Sequence, residues 1–310
     1  MDRDDVVSDI FATLRLASSI YFRAALSGDC AVMVPPEGRQ IRFHLVLQGA
    51  CRVEVGDEAV SLSEGDIALV PRGAAQVVAH GTSRPPAVPL PRLIAEGALA
   101  EGRLTAGTGG DRALLLCGFL AFDEGISHPA LEALPPLLAV RLADLDQRPA
   151  SAAALRLLDL EARLGADGAR AILPRLVEIV LIQALRDLVA AEGPEGRGFL
   201  AALADRQLAR ALTALHRAPD RDWTVKALAA AAGMSRTRFA ARFLALTGTP
   251  PMTYLTRWRL MRSRALLSTT RLSIEDVALA CGYRSLPSFN RRFKAEFGIG
   301  PGTWRRQAAG

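Results

Sequence analysis

The sequence predicts an α+β chain: an N-terminal antiparallel β-barrel followed by helices, then an all-α C-terminal domain holding two helix-turn-helix units. Three observations carry that expectation. Short apolar runs punctuated by turn residues fill about 30–122, the apolar spacing turns helical from about 150, and one pattern occurs twice near the C-terminus.

The first 25 residues have helical spacing at Ile10, Leu14 and Ala17 before a turn at Gly28-Asp29. Candidate strands follow at 30–34, 43–47, 51–55, 59–62, 67–70 and 114–120. Pro35-Pro36, Gly56-Asp57, Glu64-Gly65 and Pro71-Arg72-Gly73 separate them, because Pro and Gly supply turn geometry that a ladder does not tolerate. Many short strands at this spacing suit a barrel or a sandwich. Helices are expected over 151–164, ended by Gly165, and over 167–191, ended by Gly193-Pro194. The second has a wide apolar face (Ile172, Leu176, Ile179, Val180) that can cap the barrel or form a dimer seam. The expected domains are 1–191 and 205–310, joined by a linker over 192–204, with helical pattern running from Phe199 to Leu215.

The duplicated pattern occupies 225–257 and 274–305. Each copy opens with an apolar-periodic segment reaching Gly eight residues on (Gly233, Gly282), then Phe-x-x-x-Phe (Phe239/Phe243, Phe289/Phe293). Gly follows at 248 and 298, Pro at 251 and 301, and an aromatic at Tyr254 and Trp304. A helix-turn-helix needs a support helix, a tight turn and a second helix whose exposed face enters the major groove. In the first copy Thr224 can cap the support helix, Gly233 supplies the turn and Ser235 caps the reading helix. Phe239, Phe243 and Leu246 anchor that helix, leaving Arg236, Thr237, Arg238, Ala241 and Arg242 for DNA.

In the second copy Ser273 caps, Gly282 turns and Ser285 caps the reader. Pro287 falls in the reader's first turn, where a missing N–H is tolerated. Phe289, Phe293 and Phe297 anchor it, and Ser285, Pro287, Ser288, Asn290, Arg291, Arg292 and Lys294 are the DNA-side candidates. The i, i+4 spacing makes these Phe residues core anchors rather than base-stacking platforms. A helix over 251–267, roughly 25 Å long at ~1.5 Å per residue, can set the two readers in successive major grooves ~34 Å apart with some bending of the duplex. Its Arg257, Arg259, Arg262 and Arg264 are expected to meet phosphates or solvent.

Charge agrees with this division. The formal charge of +6 splits into 16 basic and 4 acidic residues over 221–310, against 22 basic and 28 acidic before them. Positive charge concentrated in one segment is the footprint of a polyanion-binding domain. Four cysteines (Cys30, Cys51, Cys117, Cys281) lie far apart without a C-x-x-C pair, which excludes a zinc finger and argues against a disulfide framework. No apolar run reaches the ~18–20 residues of a membrane span, and the acidic start MDRDDVV lacks the order of a secretory signal. A cytoplasmic protein is expected.

With these residues in view, 205–305 resembles the DNA-binding domain of AraC/XylS-type transcriptional regulators, above all in F-N-R-R-F-K-A-E-F-G-I-G-P-G-T-W-R (289–305). The resemblance implies seven helices, asymmetric sites, and base contacts from both reading helices. By position it puts Thr237, Ala240 and Ala241, and then Pro287, Ser288 and Arg291, in the groove. Arg291 is the best single candidate for a guanine contact.

The segment 1–190 resembles the cupin-type ligand-binding domain of one subgroup of these regulators. The residues are 43–56 (FHLVLQGACRVEVG), 65–78 (GDIALVPRGAAQVV), 114–123 (LLLCGFLAFD) and 128–138 (HPALEALPPLL). The resemblance implies a barrel pocket for an effector and a helical pair that dimerises. Metal-binding cupin enzymes use His-x-His, a following Glu and a later His. Here His44 is kept, but Val46, then Ala50 or Cys51, and Gln76 stand at the other positions, so neither a metal nor another cofactor is expected. His44, Cys51, Gln76, His80 and Cys117 form the candidate effector set. The same residues could instead hold zinc, sense oxidants, or be ordinary strand and core residues. His128 precedes Pro129 and is expected to shape a turn; His216 is expected to be structural.

The expected function is a sequence-specific DNA-binding transcriptional regulator, not an enzyme, controlled by an effector in the cupin-like domain. Expected partners are double-stranded DNA, a small-molecule or redox effector, a second copy of the chain and RNA polymerase, with no membrane. The expected output is activation, although the residues themselves distinguish neither activation nor repression. Two rivals stand beside this reading. A metal-dependent cupin enzyme with a DNA-binding tail needs a complete donor set. A sequence-indifferent architectural protein does not need two readers with different exposed faces.

Overall fold

The computed structural model describes residues 6–14, 17–38, 40–122, 128–192 and 196–308. The helix end expected at Gly193-Pro194, part of the linker and Asp123 of the third cupin-like stretch lie outside them. The chain forms two compact units, one of 16–124 and 134–187, the other of 1–15, 125–133 and 188–310.

After α1 (Val6–Leu14), which belongs to the second unit, the sheet-rich unit begins. Its strands are β1 (Ala17–Ser27), β2 (Cys30–Val34), β3 (Gln40–Gln48), β4 (Ala50–Val55), β5 (Glu58–Ser63), β6 (Ile67–Val70), β7 (Gln76–His80) and β8 (Val88–Pro89). Helix α2 (Leu90–Ala95), β9 (Leu99–Ala100), β10 (Arg103–Gly107) and β11 (Arg112–Ala121) follow. After α3 (Pro129–Glu132), part of the helical unit, come β12 (Leu138–Val140), α4 (Pro149–Leu164) and α5 (Ala169–Ala191).

Two open sheets share one core. One runs β12-β6-β3-β11-β1-β10-β9 and the other β5-β4-β7-β2-β8. No closed barrel is found among the described residues, and the ladders are not all antiparallel: β1 pairs β10, and β2 pairs β8, in parallel. The expected antiparallel barrel is thus corrected to a two-sheet sandwich. Leu26, Val46 and Leu115 of the first sheet pack with Val32, Val53 and Val78 of the second. β3 lies between β6 and β11 and is buried from Ile41 to Leu47, which explains a run without polar alternation.

β1 is the clearest departure from the periodicity. The expectation extended the first helix to residue 25, yet the strand starts at Ala17 and pairs β11 along its length. A bulge between Ile20 and Phe22 lifts Tyr21 out of the ladder.

The helical unit continues with α6 (Gly198–Ala204), α7 (Arg206–Arg217), α8 (Val225–Ala232), α9 (Arg236–Thr247) and α10 (Pro251–Thr269). It closes with α11 (Ile274–Ala280), α12 (Leu286–Phe297) and α13 (Pro301–Ala308). The single helix expected over 199–215 is two, because Asp205 leaves the helical conformation and caps α7 through its carboxylate, accepting from the Gln207 and Leu208 N–H groups.

Candidate nucleic-acid interface and sensing pocket

Both helix-turn-helix units are built by the residues their spacing implies. The Thr224 hydroxyl accepts from the Ala227 N–H to start α8, and Gly233 ends it in the left-handed conformation at φ 65°. Ser235 accepts from Arg238 N–H at 3.3 Å to start α9. In the second unit Ser273 and Asp276 form a reciprocal capping box on α11, and Ser285 caps α12 with Pro287 in its first turn. Phe239, Phe243, Phe289 and Phe293 are fully buried, so all four are anchors. Gly282 turns at φ 78°, and a Cβ there would stand 2.8 Å from both the Arg259 guanidinium and Asp220 Cα.

With those faces buried, α9 exposes Arg236, Thr237, Arg238, Ala241 and Arg242. On α12 Asn290, Arg291, Arg292 and Lys294 are exposed with Pro287 and the cap Ser285, while Ser288 is half-buried. Ala240 is half-buried too. Arg242 is engaged within the protein, its Nε donating to Asp205 at 2.5 Å.

The arginines of α10 divide more sharply than expected. Arg264 is fully buried, with its guanidinium 3.9 Å from the Trp304 ring centre and 4.8 Å from that of Phe297. Arg259 donates to the carbonyls of Pro219 and Arg221 at 2.6 and 2.9 Å, tying α10 to the turn after α7. For these two the expectation of phosphate or solvent contact is corrected: both are structural. Arg257 remains exposed and Arg262 half-exposed.

Beneath α10 lies an aromatic cluster. His216 Nε2 and the Tyr254 hydroxyl are 2.8 Å apart, and that hydroxyl is 3.4 Å from His128 Nε2. The His216 ring stacks on Trp258 at 3.9 Å. His128 also caps α3, its Nδ1 accepting from the Ala130 N–H. Burial drives the His128 pKa down to about 3, and burial with the neighbouring His128 drives His216 well below its ordinary value.

In the sheet unit a cavity of about 260 Å³ opens beside β3, β7 and β11. Arg42, His44, Gln76 and Cys117 line it together with the apolar Phe22, Val34, Leu90, Ile94 and Leu99. Ladder register brings the polar group together, since His44 pairs Cys117 across β3 and β11. His44 Nδ1 lies 3.2 Å from Cys117 Sγ, while among the described residues His44 Nε2 and both ends of the Gln76 amide make no hydrogen bond of normal geometry. Burial, then the Arg42 charge, lower the His44 pKa to about 4, and an interaction with the Gln76 side chain opposes them.

Of the candidate effector set, His44, Gln76 and Cys117 line this cavity, and Cys51 and His80 do not. The His80 ring nitrogens face the Ala50 and Asp111 carbonyls at 2.8 and 3.0 Å. Cys51 sits in the shared core, where burial pushes its thiol up to about 12; burial raises Cys117 as well. Among the described residues no three His, Cys, Asp or Glu side chains come together as a metal set. The cupin donor positions therefore do not fit a metal: His44 Nδ1 is against a high-pKa thiol, and an amide and a valine occupy two of the other places.

Residues 5–190 match the profile of a cupin family, and 228–307 match that of a helix-turn-helix domain. A putative AraC-like transcription regulator of Streptomyces lividans is 32% identical over 304 residues, covering 97% of this chain and 98% of that protein. The chain belongs to the AraC-like transcription regulators. The HTH-type transcriptional regulator AlkR of Acinetobacter baylyi is 28% identical over 314 residues, covering 98% of this chain and all of that one. A solved AraC-type regulator structure from Chromobacterium violaceum shares 31% identity over 35% of this chain and 96% of its own, with a TM-score of 0.33.

In this AraC-like regulator no described helix is long and apolar enough to cross a membrane. Two features escape the sequence, and a third was passed over. Tyr21 reaches the cavity only through its bulge, and Asp205 is a cap inside an apolar-periodic run. Arg42 did leave a signal, as the one cation within an otherwise apolar strand core.

Proposed function

We propose that this regulator reads an asymmetric duplex site with α9 and α12 in successive major grooves, and that a small molecule in the sheet unit controls it. The observation that carries the reading is the matched pair of readers. Each is Ser-capped, pinned by two buried Phe residues, and shows an exposed polar, basic face. Arg236, Thr237, Arg238 and Ala241 serve the first groove; Pro287, Ser288, Asn290, Arg291, Arg292 and Lys294 serve the second, with Ser285 at the helix start. Arg242 joins them only by leaving Asp205. α10, 19 residues or roughly 28 Å at ~1.5 Å per residue, is the spacer.

The effector is a small molecule rather than an oxidant, since all four cysteines are buried and a thiolate is the form that oxidants attack. His44, Gln76 and Cys117 contact it, while Cys51 and His80 support the surrounding strands. The chain works in the cytoplasm as a homodimer alongside RNA polymerase, without catalysing a reaction. Leu157, Leu160 and Leu164 on α4, with Ile172 and Ile179 on α5, leave an exposed apolar face that suits a second copy.

Crosslinking the protein to its genome and footprinting the recovered sites tests the reading. The expected footprint protects two major-groove faces about one helical turn, ~34 Å, apart. Recovery of fragments with no shared sequence refutes it.

A further inference from the structure

We infer that the cavity in the sheet unit selects a neutral carboxamide-type ligand, a planar carbonyl carrying its own N–H donor on a small apolar body. This rests on the effector reading above and specifies its chemistry. The Gln76 side chain is 1% exposed, yet among the described residues neither its amide oxygen nor its amide nitrogen makes a hydrogen bond of normal geometry, the His44 ring being its polar neighbour. Buried polar groups of this kind are ordinarily hydrogen-bonded, so the pair marks a place where something else bonds. One acceptor and one donor side by side are matched by a molecule that offers a donor and an acceptor in the same plane.

Two neighbours sharpen the match. Among the described residues His44 Nε2 and Arg42 Nε are also buried without a hydrogen bond of normal geometry, and both side chains line the cavity. Arg42 does not make the site anionic in preference, because its charge is already answered by Glu37 at 2.8 Å. Glu37 is itself held by the Tyr21 hydroxyl at 3.3 Å. A carboxylate ligand would add a second negative charge beside that carboxylate and leave the Gln76 oxygen without a donor. A neutral amide does neither.

Size follows from the volume. At ~30 Å³ per water in the liquid, about 260 Å³ has the room of roughly nine waters, enough for a single ring with its carboxamide. Most of the remaining lining is apolar, with Phe22, Val34, Leu90, Ile94 and Leu99, so the body of the ligand is apolar. Benzamide is a probe of that size, benzoate its charged counterpart, and acetophenone its counterpart without an N–H.

Ligand-observed NMR titration of the full chain with these three probes tests the inference. Benzamide is expected to bind at least tenfold more tightly than either counterpart, because a site built to hydrogen-bond rejects an analogue lacking the donor. In Gln76→Leu that preference is expected to vanish while acetophenone still binds, which shows that the variant is folded. A smaller preference, or tightest binding of benzoate, overturns the ligand class and leaves the cavity as an effector site. No binding by any probe overturns the inference together with the effector reading of this cavity.

Discussion

The rings of His128 and Tyr254 meet across 126 positions of sequence, the Tyr254 hydroxyl lying 3.4 Å from His128 Nε2. His128 Nδ1 accepts from a main-chain N–H, so in the neutral ring Nε2 carries the proton and points it at the Tyr254 oxygen. The Tyr254 O–H is then free to donate to His216 Nε2 at 2.8 Å. One hydroxyl therefore fastens the short segment around α3 to the helical unit that carries the readers.

Removing that hydroxyl leaves two buried imidazole nitrogens without a partner. Tyr254→Phe is expected to cost about 1–3 kcal/mol of stability. Urea unfolding of the helical unit measures it. A midpoint unchanged from the parent protein contradicts the fastening role.

Acid should weaken the fold steeply. His44, His128 and His216 have folded-state pKa values depressed by burial, to about 4, about 3 and well below the ordinary value. Between the folded and unfolded pKa values the unfolded chain holds more protons, so stability rises with pH. The contribution is fully present above ~6.5 and is lost as pH falls toward the folded values. Each ring loses roughly 1.4 kcal/mol per pH unit below ~6.5, so the three together lose about 4 kcal/mol by pH 5.5. Denaturant melts at pH 7.5 and 5.5 measure this, and equal midpoints contradict it.

Gly282 is expected to resist substitution. Its φ of 78° disfavours any side chain, and a Cβ meets Arg259 and Asp220 at once. Gly282→Ala is expected to cost about 1–3 kcal/mol and to weaken the second unit's DNA contacts more than the first's. Methylation protection on a bound site distinguishes the two halves. Uniform loss across both halves contradicts a local effect.

Arg291 is exposed near the start of α12, beyond its cap. Arg291→Ala is expected to lower affinity by about 1–3 kcal/mol and to relax preference at one base pair. Affinities for a set of single-base variants of the site check this. An equal loss on every sequence marks a phosphate contact instead.

The helical unit was legible because its signals are local. Caps such as Ser235 and Ser273, turns at Gly233 and Gly282, and Phe pairs four apart each act within one or two helical turns. Arg264 was not legible in the same way: what buries it is Phe297 and Trp304, far along the chain beyond α10, and no spacing on α10 reports them. The sheet unit gave up β2 to β6 and β11 but not its parallel pairings, since pairing of β1 with β10 and of β2 with β8 is set by long-range register. β1 itself was hidden by Ser18, Ser19, Tyr21 and Arg23, which blur the apolar alternation of a strand. Within the cavity, His44 and Gln76 were visible from their alignment with cupin positions and Cys117 as a further candidate, whereas the His80 ring turned out to face two main-chain carbonyls.

The most direct test is competition binding of the full chain, at ~0.15 M salt, between a duplex selected from a randomised pool and a shuffled duplex of identical base composition. The expected result is a preference for the selected duplex of ~10³-fold or more. Equal affinity for the two would mean that α9 and α12 grip the backbone without reading bases, and would contradict sequence-specific regulation by this chain.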